Sequence, residues 1–123
     1  MTVLLIVLSG GLGAATRFVV DGLVRGRVTR VLPVATILIN VSGSGLLGLL
    51  SGALLFHALP PAVYAVLGVG FCGGYTTFST AMVETVRLVQ AGEHRRAVVN
   101  AVGSLLLALG AAALGVLVMH LLA

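Results

Sequence analysis

Hydrophobic residues in this chain do not alternate with polar ones; they gather into long apolar stretches divided by short polar connections. Four stretches, at about residues 3–23, 33–59, 62–89 and 97–122, approach or exceed the ~20 residues that an α-helix needs to cross a bilayer. The connections are an arginine-bearing loop at 25–30, "HALPP" at 57–61 and "AGEHRR" at 91–96. The pattern predicts an all-α membrane protein, a single domain over 1–123 with four transmembrane helices in a lipid bilayer. The opening "MTVLLIV" has no basic segment before its apolar run, so a cleaved signal peptide is not expected.

Inside these spans the few polar residues fall at helical spacing. Thr36, Asn40 and Ser44 recur every four residues and stack along one side of the second helix. Gly48 and Gly52 continue the line as an edge of small residues that another helix can approach closely. In the third span Thr76, Thr80 and Glu84 follow the same rule, with Arg87 one turn beyond and in reach of Glu84. Asn100 and Ser104 repeat it in the fourth. Isolated polar groups in a span usually bond helix to helix, at roughly 0.6 kcal/mol each. Stripes in three helices, one ending in a carboxylate, favour a lined polar route, because unpaired polar groups in hydrocarbon are costly. The third span is also interrupted by "GVGFCGGYTTFST" at 68–80, rich in glycine and hydroxyls.

Composition agrees: 59% of residues are hydrophobic and 8% charged, against about 25% charged in soluble domains. Mean hydropathy is +1.22. All seven basic residues are arginine. Arg25, Arg27 and Arg30 fall in the first loop, Arg95 and Arg96 in the third, and Arg17 and Arg87 toward the same ends of their helices. The positive-inside rule puts those loops in the cytoplasm and both termini outside, as in a multi-pass protein of the cell (inner) membrane. The net charge of +4 thus records orientation and does not call for nucleic acid.

Catalytic chemistry finds no support. Cys72 is alone, so neither an intrachain disulfide nor a thiolate cluster can form. His57, His94 and His120 sit near span ends and share no helix face. Ser79 has no histidine base in its motif. "GVGFCGG" lacks the lysine and the preceding strand of a phosphate loop.

"GGLGAATRF" at 10–18, "PVATILIN" at 33–40 followed by "GS" at 43–44, and "GFCGGYTTFST" at 70–80 with Glu84 occur in an order and spacing that resembles the CrcB/Fluc fluoride channels. The resemblance covers almost the whole chain. It implies a subunit of a fluoride-selective channel that exports cytoplasmic fluoride by passive electrodiffusion. It further implies an antiparallel, inverted-topology dimer with two pores, and a third helix broken near its middle. Backbone carbonyls matching Gly73 and Thr76 would hold a structural sodium ion at the dimer centre. Asn40 would match the pore asparagine, Phe78 the first phenylalanine of the family's pair, and Ser79, Thr80 and Glu84 its polar track. Ser104 would match the fourth-helix serine, and Arg17 the arginine of the cytoplasmic vestibule.

The chain departs from the family pattern at three points. Ala81 stands where the second phenylalanine is expected, Asn100 where a tyrosine is, and Ala108 where a second serine is. With the arginine bias, this leaves two assemblies open: a homodimer, or a heterodimer with an oppositely oriented paralogue in which one pore is degenerate. Two rival functions are a small dual-topology drug or cation exporter and a non-conducting partner subunit. The exporter would need a membrane-buried acid in the first span; none precedes Asp21, and the chain has no tryptophan.

Overall fold

The computed structural model describes residues 1–28 and 32–123, and its regular structure is helical throughout. Arg30, counted above with the first loop, lies outside the described residues. Four helical spans are long and apolar enough to cross a membrane: Thr2–Arg25, Val34–Phe56, Pro61–Gln90 and His94–Leu121. We call the first two α1 and α2 and the last α5. The third span divides into α3, residues 61–75, and α4, Phe78–Gln90. The chain is therefore a multi-pass membrane protein. Its fourth span starts at His94 and takes in Arg95 and Arg96, which the sequence pattern assigns to the loop.

Local chemistry explains the boundaries. Pro33 precedes α2, and Pro61 opens α3, where its missing N–H costs nothing. Gly92, at φ +77°, takes the left-handed turn after α4 that an L-residue would resist. Between α3 and α4, Thr76 and Thr77 are extended, at φ −77°, ψ 159° and φ −147°, ψ 119°. Thr77 then caps α4, its Oγ1 accepting from the Thr80 amide at 3.3 Å. Ala65–Cys72 in α3 and Val99–Gly103 in α5 are wound with the wider π repeat.

Lipid offers no hydrophobic drive for helix pairing, so small residues do much of the packing. A Cβ at Gly13 would strike the Phe71 carbonyl, and one at Gly74 the Gly10 carbonyl, so α1 and α3 touch backbone to backbone. Gly48 meets the Ala112 backbone in the same way, Gly52 makes room for the Met119 side chain, and Gly115 sits against Gly45, which seals α2 to α5. The interior is correspondingly small: Ile39, Thr36, Cys72 and Asn100 are its largest fully buried side chains. Leucine and valine face outward, as lipid contact requires.

Arg25 and Arg87 line one cleft, which joins the end of α1, the start of α2 and α4 at one pole of the bundle. At the opposite pole His57 Nε2 lies 2.8 Å from the Met119 carbonyl, and the rings of Phe56 and His120 are 4.8 Å apart.

Candidate functional site

The site grows from the two extended residues. An uninterrupted helix would aim the Thr77 amide at the Gly73 carbonyl and the Thr80 amide at the Thr76 carbonyl. Instead the Thr77 amide donates to Asn40 Oδ1 at 2.8 Å, and the Thr80 amide to Thr77 Oγ1. The carbonyls of Gly73 and Thr76 are thereby relieved of their helical donors. Asn40 completes the clamp by donating from Nδ2 to the Thr77 carbonyl, also at 2.8 Å. One side chain of α2 thus pairs both peptide groups of Thr77, which helps make extended backbone tolerable at this depth. The Thr76 hydroxyl turns back to the Cys72 carbonyl at 2.8 Å. Thr76 therefore does not stack with Thr80 and Glu84 as an unbroken helix would have it.

Beside the clamp lies a groove of about 450 Å³, lined by Asn40, Ser44, Phe78, Ala81 and Ser104 among others. Phe78 is 78% exposed and faces out of the helix bundle. An amide carries two N–H donors, and Asn40 commits one of them to Thr77, leaving the second for the groove. Ser104 donates to the Asn100 carbonyl and lies 3.3 Å from that of Ala101, so its hydrogen is engaged. Asn100 does not line the groove. It is 1% exposed and donates to Thr85 Oγ1 at 2.9 Å, and Thr85 in turn donates to the Ala81 carbonyl at 2.8 Å. The residue at the expected tyrosine position is an interior strut between α5 and α4.

A second cleft, about 550 Å³, opens at the arginine pole, with Ser79, Thr80 and Glu84 along its wall. Glu84 does not pair with Arg87. Its Oε1 accepts from Arg25 Nη2 at 2.7 Å and from Thr36 Oγ1 at 3.0 Å. Arg25 also donates to Asp21 Oδ2 at 2.8 Å, on the preceding turn of its own helix. Glu84 Oε2 is buried without a hydrogen-bond partner among the described residues. Arg25 reaches Glu84 because α1 ends beside α4, a relation between distant elements that helical spacing along α4 could not reveal.

Residues 4–116 match the family described as CrcB-like protein, Camphor Resistance (CrcB). The chain belongs to this family. It is 51% identical over 115 residues to a protein of Leifsonia xyli subsp. xyli named fluoride-specific ion channel FluC 1, covering 94% of this chain and 84% of that one. A protein of Rhodococcus jostii named fluoride-specific ion channel FluC 2 is 48% identical over 115 residues, covering 94% and 96%. Its counterpart in Cutibacterium acnes, also named FluC 2, is 43% identical over 116 residues, covering 94% of both. These CrcB relatives are named as ion channels, not as enzymes.

The positions singled out by the CrcB resemblance divide between the two hollows. Asn40, Thr76, Phe78 and Ser104 line the groove, while Ser79, Thr80 and Glu84 line the arginine-pole cleft. Arg17 is half-buried on α1 and lines neither, and Gly73 is exposed. Sequence reasoning passed over two residues that organise the site. Thr77 had the signature of a helix cap, a threonine opening a regular run. Arg25 had an acid one turn before it, at the i, i+4 spacing of an ion pair.

Proposed function

We propose that this chain is a subunit of a fluoride-selective channel through which cytoplasmic fluoride leaves passively down its gradient. The observation that carries this reading is the Asn40–Thr77 clamp. It pairs the extended Thr77 and sets Asn40, with one amide N–H beyond that pairing, on the wall of a groove that Phe78 also lines. Fluoride is small and strongly hydrated, so a pore has to replace its water with donors of this kind. The positive edge of the Phe78 ring can face an anion without a fixed charge that would hold it. Ser79 and Thr80 supply hydroxyls toward the cleft, and Ser104 can contribute once its hydroxyl turns from Asn100. Conduction then follows from contacts favourable enough for entry and weak enough for exit. Names of relatives sharing up to 51% identity supply the ion.

The two extended residues fit the reading of a broken third helix, and the two carbonyls fit a structural sodium site. Both oxygens have lost their helical donors, and oxygen ligands suit a hard cation. When bound, sodium would supply a fixed positive charge at the interruption. A complete shell needs more oxygens than this pair, which favours a site shared with a second subunit. The outward face of Phe78 likewise favours an inverted partner that closes each pore.

A heterodimer is favoured by Ala81, which lines the groove where a second phenyl edge is expected, and by the arginines. Under this reading one pore is fully lined and the other degenerate. The test is efflux of fluoride against chloride from liposomes holding this chain alone or with an oppositely oriented paralogue. Fluoride-selective efflux is expected in the paired sample. Its absence from both samples would overturn the channel reading, and full efflux from the chain alone would remove the need for a paralogue.

A further inference from the structure

The cleft at the arginine pole contains a charge arrangement that the route through Asn40 does not explain. Among the described residues four charged side chains line it: Asp21, Arg25, Glu84 and Arg87. Their formal charges cancel. An anion entering along Ser79 and Thr80 nevertheless passes Glu84, whose carboxylate alone would repel it. Glu84 has one ion-pair partner among the described residues, Arg25, at 2.7 Å. Its other oxygen, Oε2, is buried with no donor. Arg25 comes from a different helix and is held by a second acid, Asp21, through Nε. A guanidinium presents several donors in a rigid fork, so it can bridge the two carboxylates in a fixed geometry that a flexible lysine does not impose. Arg87, which the i, i+3 spacing places nearest in sequence, makes no ion pair among the described residues and does not do this work.

We propose that Arg25 is a positioning residue for ion entry: anchored by Asp21, it cancels the charge of Glu84 and so makes the Ser79–Thr80 mouth accessible to anions. The inference rests on the channel reading for its biological meaning, but the electrostatic claim can be measured without any fluoride. Removing Arg25 leaves the four-residue cluster at a net charge of −1, and removing Glu84 as well restores zero. Losing an ordinary structural ion pair would not produce that reversal.

The experiment places a cysteine at exposed Ser79 and compares its modification by anionic and cationic methanethiosulfonate reagents. The native Cys72 is 1% exposed and shielded from both. Arg25→Gln is expected to lower the anionic-to-cationic rate ratio about fourfold, as for a unit charge some 10 Å away in water. Arg25→Gln with Glu84→Gln should return it to the parent value, and Glu84→Gln alone should raise it. Arg25→Lys, which keeps the charge on a fold-preserving side chain, should stay within about twofold. An unchanged ratio in Arg25→Gln, or a double variant as low as the single one, would overturn the proposal. If Arg25→Gln yields no folded protein, Glu84→Gln decides alone, because an unchanged ratio there is equally fatal. Fluoride efflux from liposomes holding the chain with Ser79 intact, alone and with an oppositely oriented paralogue, separates the two claims. Rates that shift as expected without any fluoride flux would leave the charge cancellation standing and sink the fluoride reading. Selective flux with unmoved rates would do the reverse.

Discussion

The two sides of α2 face the rest of the molecule in opposite ways. Toward α5 the helix offers Gly45, Gly48 and Gly52, and among the described residues the side-chain hydrogen bond to α5 comes from His57, at the helix end and not from the seam itself. Toward the third span it offers Thr36 to Glu84, Asn40 to Thr77 and Ser42 to Tyr75. One side works by letting backbones touch, the other by directing donors and acceptors. In a bilayer neither can lean on hydrophobic burial, so adhesion and chemistry are assigned to different sides of the same helix.

Substitutions along α2 can break this division. Gly48→Val should have the largest effect, since the new side chain meets the Ala112 carbonyl and the helix backbone cannot yield. A loss of about 3 kcal/mol, at the upper end of overpacking, is expected as a fall in melting temperature and in monodisperse protein. A Gly48→Val protein as stable as the parent would mean that α2 and α5 do not meet as closely as described.

Asn40→Asp comes next. The carboxylate can still accept from the Thr77 amide but sets an oxygen against the Thr77 carbonyl, and it puts a negative charge in the groove. Stability should fall by about 2 kcal/mol, and fluoride efflux by an order of magnitude or more. Unchanged efflux would remove Asn40 from the route. Thr36→Val deletes one of the two donors to Glu84 while nearly keeping volume, for about 1 kcal/mol in thermal unfolding. The smallest effect belongs to Ser51→Ala. Ser51 mainly bonds the Leu47 carbonyl on its own helix, and its contact with Tyr64 is long at 3.4 Å. A change within about 0.5 kcal/mol is expected. If Ser51→Ala instead cost more than Thr36→Val, the polar side of α2 would be continuous to the other pole.

The spans were legible because a bilayer imposes a length and an apolar composition that few other contexts share. Asn40 and the threonines stood out for a related reason: polar side chains in such a run need partners. The direction of each stripe was less legible. A line of residues four apart drifts about 40° per step around a helix of 3.6 residues per turn. From Thr36 to Gly52 the drift reaches about 160°, so the line that starts against Glu84 ends against Met119. Read as one edge, it is in fact the two opposed sides. Glu84 shows the other limit. Local spacing named Arg87 as its partner, whereas the tertiary arrangement supplied Arg25 from across the bundle. Asn100 likewise fell on a polar stripe with Ser104, and only burial against Thr85 reveals a strut.

The clamp at Thr77 also bears on the order of assembly. Before α2 has docked, nothing supplies the donors and acceptor that Asn40 lends to the extended residues. Unpartnered peptide groups in hydrocarbon cost several kcal/mol each, so a third span alone in lipid favours one unbroken helix over 61–90. The interruption is then a product of helix association, made when Asn40 arrives. During biogenesis the membrane would receive four plain helices first, and the extended segment at Thr76 and Thr77 would form afterward.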